Sequence, residues 1–257
     1  MLKIEKLTKV FGAGTVNEMK ALDDLSFHGE RGDFITIIGS NGAGKSTLMN
    51  SIAGVFPIDE GRILLAGKDI SKAPEHKRAA DIGRVFQDPL KGTAFDMTIE
   101  ENLSIAYNKT RKRGLQQGIS RADRELFREK LSLLEMGLED RMKEKVRLLS
   151  GGQRQALTLF MAVISKPKLL LLDEHTAALD PAAAKKVLEL TDRFADDSDM
   201  CTMMITHNMK AALEHGNRTI LMKGGRIAMD IKGKERDEMT VERLIEQFEI
   251  DNDRMLL

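Results

Sequence analysis

Residues 39–46 read Gly39-Ser40-Asn41-Gly42-Ala43-Gly44-Lys45-Ser46, and they follow the apolar run Phe34-Ile35-Thr36-Ile37-Ile38. The helix-forming Ser46-Thr47-Leu48-Met49-Asn50-Ser51-Ile52-Ala53 comes next. No other stretch restricts the fold as much, because it demands a buried strand, a glycine-rich turn and a helix in immediate succession. Gly39, Gly42 and Gly44 let the backbone curl through positive φ and turn successive N–H groups inward, while the helix adds the positive end of its dipole. Such a loop cradles nucleotide phosphates. Lys45 then reaches the β and γ phosphates and the Ser46 hydroxyl meets Mg²⁺, with Ser40, Asn41, Ala43 and Thr47 completing the contact set.

A second run, Lys168-Leu169-Leu170-Leu171-Leu172-Asp173-Glu174, reads as a short strand buried on both faces, since four leucines without alternation suit the middle of a parallel sheet. Two carboxylates close it. Open α/β sheets bind ligands at the C-terminal ends of their strands, so Asp173 is placed to hold the Mg²⁺ water shell and Glu174 to polarise an attacking water. Together the two segments predict an α/β nucleoside triphosphatase of the P-loop type.

Between them lies Leu149-Ser150-Gly151-Gly152-Gln153. As local structure it reads as a serine N-cap before a helix. It also matches letter for letter the signature of the ATP-binding cassette superfamily, and the chain is identified as resembling that superfamily. The resemblance implies a nucleotide-binding domain with a mixed-sheet lobe and an inserted helical subdomain. It further implies that two subunits pack head to tail, so that Ser150, Gly151, Gly152 and Gln153 of one close over the ATP held by the other.

Further positions follow from the same resemblance. Gln87, after the strand-like Ile82-Gly83-Arg84-Val85-Phe86, resembles the glutamine that senses Mg²⁺ and water and couples the site to a membrane partner. Ala178-Leu179-Asp180 resembles the loop that crosses the dimer interface, and His207 resembles the switch histidine on the γ-phosphate. Phe11 resembles the aromatic residue that stacks on adenine. A strand-end histidine or an N-terminal aromatic taken alone is more often structural.

Forty Lys plus Arg balance forty Asp plus Glu among 257 residues, so no net basic field draws in nucleic acid. One cysteine, Cys201, excludes an intrachain disulfide framework and fits a reducing compartment. The start Met1-Leu2-Lys3-Ile4-Glu5 lacks the apolar core of a signal peptide, and no run of about 18 apolar residues offers a spanning helix. A protein serving a membrane from such a sequence is expected at its cytoplasmic face, as a peripheral subunit.

Strand-like stretches dominate residues 1–87 and again 168–231, with a charge-laced helical interval over about 98–148. The expected organisation is one domain over 1–257, with a core lobe of about 1–87 and 168–257 and a helical subdomain of about 88–167. Lys109, Arg111, Lys112 and Arg113 form a basic patch that reads as a solvated face. A hairpin is predicted around Gly224-Gly225 and a closing helix from Thr240 to Phe248.

One departure from the superfamily narrows the resemblance. Where proline usually follows the catalytic glutamate, this chain has His175, in Asp173-Glu174-His175-Thr176-Ala177-Ala178-Leu179-Asp180-Pro181. With Gly83-Arg84-Val85-Phe86-Gln87-Asp88-Pro89 and Met97-Thr98-Ile99-Glu100-Glu101-Asn102-Leu103, this is similar to a bacterial branch paired with a permease and a lipid-attached solute-binding protein. That branch imports amino acids, aromatic ones such as tryptophan among them. His175 itself either caps the turn or takes part in hydrolysis. Two alternatives share the motifs: a soluble mechanical ATPase acting on ribosomes or DNA, and an exporter or lipoprotein-release ATPase. The single cassette without a coiled-coil split weighs against the soluble reading.

Overall fold

The computed structural model describes residues 1–109, 118–196 and 199–253. Its centre is a six-stranded sheet in the order β10-β9-β3-β8-β7-β6. Beside it lies a four-stranded antiparallel sheet in the order β2-β1-β4-β5. The strands are β1 (Leu2–Phe11), β2 (Met19–Gly29), β3 (Phe34–Gly39), β4 (Glu60–Leu65), β5 (Lys68–Asp69), β6 (Ile82–Val85), β7 (Leu169–Asp173), β8 (Cys201–Ile205), β9 (Arg218–Lys223) and β10 (Arg226–Lys232). Strands β6, β7, β8, β3 and β9 run parallel, and β10 turns back on β9 through Gly224 and Gly225, with Arg226 opposite Lys223. The sheet is therefore mixed.

Why the leucine run does not alternate is visible at once. Leu169 and Leu171 point into a core shared with Ile35, Ile37, Met203 and the small sheet, while Leu170 and Leu172 point into a second core with Phe127, Leu157 and Leu190. Both faces of β7 are covered, so no position on it gains from polarity. The first core also takes Leu48, Met49 and Ile52 of helix α1 (Lys45–Ala53), which fixes the helix that leaves the phosphate loop.

Helix α1 ends at Gly54, whose φ of +86° reverses the chain. Its last carbonyls are met by the guanidinium of Arg78, at the end of the short helix α2 (Glu75–Arg78). Arg78 Nη1 donates to the Ser51 and Ile52 oxygens at 2.8 and 2.9 Å, and its Nη2 and Nε donate to Ser71 and Ala73 oxygens. A buried cation at the negative end of a helix is well placed, although burial pulls its pKa down.

Three helices of the second core start with the same device. Helix α3 (Ile99–Asn108) is capped by Thr98 with Glu101, α4 (Arg121–Ser132) by Ser120 with Asp123, and α5 (Gly151–Val163) by Ser150 with Gln153. Each pair satisfies two of the orphan N–H groups of a first turn. The helical interval expected over 98–148 is interrupted. Glu135 and Gly137 take positive φ, and the chain continues as irregular backbone with 3₁₀ turns at Leu138–Asp140 and Val146–Leu148. Ile99 N–H and Val146 N–H instead bond across to Glu144 and Met97 carbonyls, pinning this segment to the start of α3.

Helix α6 (Pro181–Asp196) packs on α5 through the stacked rings of Phe160 and Phe194. The chain then adds α7 (Met209–Glu214), α8 (Lys234–Asp237) and α9 (Val241–Asp253), so α6 and α7 lie within the stretch read as mainly strand, and the closing helix begins at the expected place. Lys109 of the basic patch turns inward to the Ile82 carbonyl, while Arg111, Lys112 and Arg113 lie outside the described residues. Cys201 is buried in β8. Among the described residues no helix is long and apolar enough to cross a membrane.

Candidate active site

The pairing register gathers three strand ends at one edge of the sheet. Ile37 of β3 and Asp173 of β7 both lie opposite Ile205 of β8, so residues 39–46, 173–174 and 206–207 emerge side by side. Glu174 N–H bonds the Ile205 carbonyl at 3.2 Å and Thr206 N–H bonds the Ile37 carbonyl at 3.2 Å, locking the three exits together.

The loop after β3 keeps the geometry its glycines allow. Gly44 has a φ of +97°, and a Cβ there would come within 2.5 Å of the Ala21 carbonyl. Only glycine fits a left-handed turn laid directly on β2. Lys45 is 6% exposed, and its Nζ donates to the Gly39 and Ser40 carbonyls at 2.7 and 2.9 Å. Burial pulls its pKa down, partly offset by the charges of Glu174 and Asp173. Asp173 shows the mirror image: burial raises its pKa, against the pull of Arg84. Each charge lacks the solvation it would have in water, and phosphate near Lys45 or a cation near Asp173 would restore it.

Glu174 has a φ of +46°. Its Oε1 lies 2.5 Å from Nε2 of His207. Gln87 is exposed and shares with Asp173, Asn50, Arg84 and Ala178 a cleft of about 720 Å³. Asp173 and Gln87 line this cleft with a carboxylate and an amide oxygen, donors of the kind a hard cation such as Mg²⁺ takes. Among the described residues no group of three or more His, Cys, Asp and Glu converges as a metal site, so such an ion would draw other ligands from phosphate and water.

Arg84 is a participant that reading the sequence passes over. Its Nη2 donates to Asn50 Oδ1 at 2.6 Å and its guanidinium lies 4.4 Å from the Phe86 ring centre, while Nε is buried without a partner. The clue in the sequence is a charged residue inside an otherwise apolar four-residue strand.

The signature residues sit elsewhere. A Cβ on Gly151 would meet Leu179 and one on Gly152 would meet Ala183 at 2.7 Å, so the start of α5 abuts the start of α6 rather than the phosphate loop. Asp180 is spent on the same junction, accepting from Ala182 and Ala183 N–H as the cap of α6. Phe11, at the end of β1, stacks edge-on to Phe56 at 5.3 Å, with Lys9 over its ring.

His175 does not face the cleft. It is 2% exposed, and its Nε2 lies 3.0 Å from Thr191 Oγ1 on α6. Burial drives its pKa down to about 4, so the ring is neutral at physiological pH.

Residues 22–177 match the family described as ABC transporter. Over 249 residues the chain is 43% identical to a tyrosine transport ATP-binding protein of Clostridioides difficile, spanning 97% of this chain and 99% of that one. The chain belongs to the ABC transporter family. A methionine import ATP-binding protein of Clostridium tetani shares 31% identity over 97% of this ABC cassette and 76% of its own length. Among solved structures, the ADP conformation of the cassette MJ1267 superposes with a TM-score of 0.79 at 27% identity, over 96% of this chain and 98% of that one. The dimeric cassette MJ0796, bound to ADP and Pi after hydrolysis, gives 0.74 at 27% identity, over 90% and 98%. The fold is thus the α/β P-loop nucleotide-binding domain of ABC proteins, and the chain is an ATPase of an ABC transporter.

Proposed function

We propose that this ABC ATPase powers import of an amino acid, of the aromatic class that includes tyrosine and tryptophan. Import would proceed by ATP-driven head-to-tail pairing of two copies beneath a transmembrane permease fed by a lipid-attached solute-binding protein. One observation carries the enzymatic part: Lys45, Asp173, Glu174 and His207 meet at the end of three adjacent parallel strands. The substrate class rests on the 43% identity to a tyrosine transport protein and on the His175 segment.

In this reading residues 39–47 wrap the phosphates, and Lys45 exchanges its two carbonyl partners for phosphate oxygens. Ser46, Asp173 and Gln87 would hold Mg²⁺, which neutralises charge on the β and γ oxygens when bound. Glu174 orients and deprotonates water, while His207 and the neighbouring copy's signature N–H groups face the γ-phosphate. Phe11 stacks on adenine and Asp180 steadies the junction that the second copy meets. Residues 88–167 act as the helical lobe between the core of 1–87 and 168–257, and the Gln87 cleft carries closure to the permease. The protein then works at the cytoplasmic face of the membrane as a peripheral subunit, with no role for nucleic acid.

The test is recovery of Glu174→Gln chain, with ATP present, from detergent-solubilised native membranes, followed by mass spectrometry. A stoichiometric multi-span permease with a lipoprotein supports the reading, and labelled tyrosine and tryptophan uptake by the recovered complex then sorts the substrate. Ribosomal or DNA-bound partners without a membrane protein would overturn it.

A further inference from the structure

The catalytic glutamate and the residue after it are fixed by different means. Glu174 occupies the left-handed region, at φ +46°, which disfavours a residue with a Cβ. Backbone bonds hold it on two sides: its N–H reaches the Ile205 carbonyl and its carbonyl accepts from Ala177 N–H at 3.0 Å. The first ties the strand end to β8 and the second closes the turn, but neither reaches a helix. The His175 ring does. It leaves the phosphate cleft and enters the packing under α6, where Thr191 is fully buried.

The direction of that bond follows from its neighbour. Thr191 Oγ1 donates to the Val187 carbonyl at 2.8 Å, so its hydroxyl hydrogen is committed and His175 Nε2 must donate. This tie joins the turn after β7 to the middle of α6, sixteen residues on. Helix α6 is in turn anchored to the helical lobe by Phe160 against Phe194 and by Lys186 to Glu135.

We propose that His175 is a positioning residue for ATP hydrolysis: its bond to Thr191 anchors the turn that presents the Glu174 carboxylate. This rests on Glu174 being the water-orienting residue. Without the tie, a strained glutamate has a low-energy route to rotate away, and misplacement by about 1 Å costs on the order of a hundredfold in rate. An imidazole that only filled space would change stability and leave the turnover of folded protein alone.

The test compares kcat and KM for ATP in the full chain carrying His175→Ala, Thr191→Val, both together, and His175→Gln, with folding checked by circular dichroism. Thr191→Val keeps the shape of the side chain and removes the hydroxyl, with both its acceptance from His175 and its donation to the Val187 carbonyl, while leaving the imidazole in place, so it is the variant that guards against misfolding. His175→Ala and Thr191→Val should each lower kcat at least about tenfold with KM within about twofold, and the pair should be no worse than the worse single. Gln offers an N–H of similar reach and should restore kcat to within about threefold of the parent. A folded Thr191→Val chain at parental kcat, losses that multiply in the pair, or a KM rising in step would overturn the proposal. Glu174→Gln measured in parallel separates the two ideas. Normal turnover there removes the role of Glu174 itself, whereas an inactive Glu174→Gln beside a fully active Thr191→Val removes only the anchor.

Discussion

Glu174 Oε1 and His207 Nε2 lie 2.5 Å apart, across the gap between the ends of β7 and β8. A carboxylate only accepts, so the imidazole donates from Nε2 and the bond spends that N–H on Glu174. The two residues are thirty-three positions apart in sequence, and the parallel register of Asp173 with Ile205 brings them together.

Replacing Glu174 by Gln keeps the shape and removes the carboxylate proposed as the base. Turnover should fall by about a hundredfold or more while ATP binding stays near normal. Gel filtration with ATP should show a dimer accumulating. A variant that turns over at the parental rate would take Glu174 out of the reaction.

Lys45→Ala acts on binding. The ammonium now satisfied by the Gly39 and Ser40 carbonyls is the charge that phosphate would meet, and losing one charge-assisted contact should weaken ATP affinity about tenfold or more. Calorimetric titration measures it, and an unchanged Kd would disprove the phosphate-loop assignment.

Arg78→Lys should look conservative and not be. The planar fork reaches Ser51, Ile52, Ser71 and Ala73 carbonyls at once, which an ammonium does not reproduce, and the change should destabilise the fold by about 2–3 kcal/mol. Urea unfolding is the check. A loss below about 0.5 kcal/mol would show that water replaces the guanidinium without penalty.

His215 supplies a pH dependence. Its Nδ1 lies 2.7 Å from Asp192 Oδ2, and this hydrogen bond raises its pKa above the ordinary 6.5. A raised pKa means the folded state favours the protonated ring, so the stabilisation is full below 6.5 and is lost as pH climbs through the folded value. Melting temperatures of the parent should therefore decline over that window relative to Asp192→Asn, whose profile should be flatter. Parallel profiles would show that the pair contributes nothing to folding.

What the sequence alone determined is what depends on short-range backbone geometry. The phosphate loop, the signature cap at Ser150 and the hairpin at Gly224 are each set by residues within a few positions of one another, and the buried leucine strand announces itself by the absence of alternation. Tertiary structure decided the partners of side chains that meet across elements. Arg78 reads as one cation among forty until α2 sets it against the end of α1. His175 reads as a neighbour of catalysis until its ring is found under α6. The helical interval expected to about residue 148 breaks off early because Glu135 and Gly137 turn the chain so that the following strip can pair with the start of α3. In each case the deciding energy is desolvation: a polar group buried far from its sequence neighbours must find whichever partner the packing supplies, and no local pattern encodes which one that is.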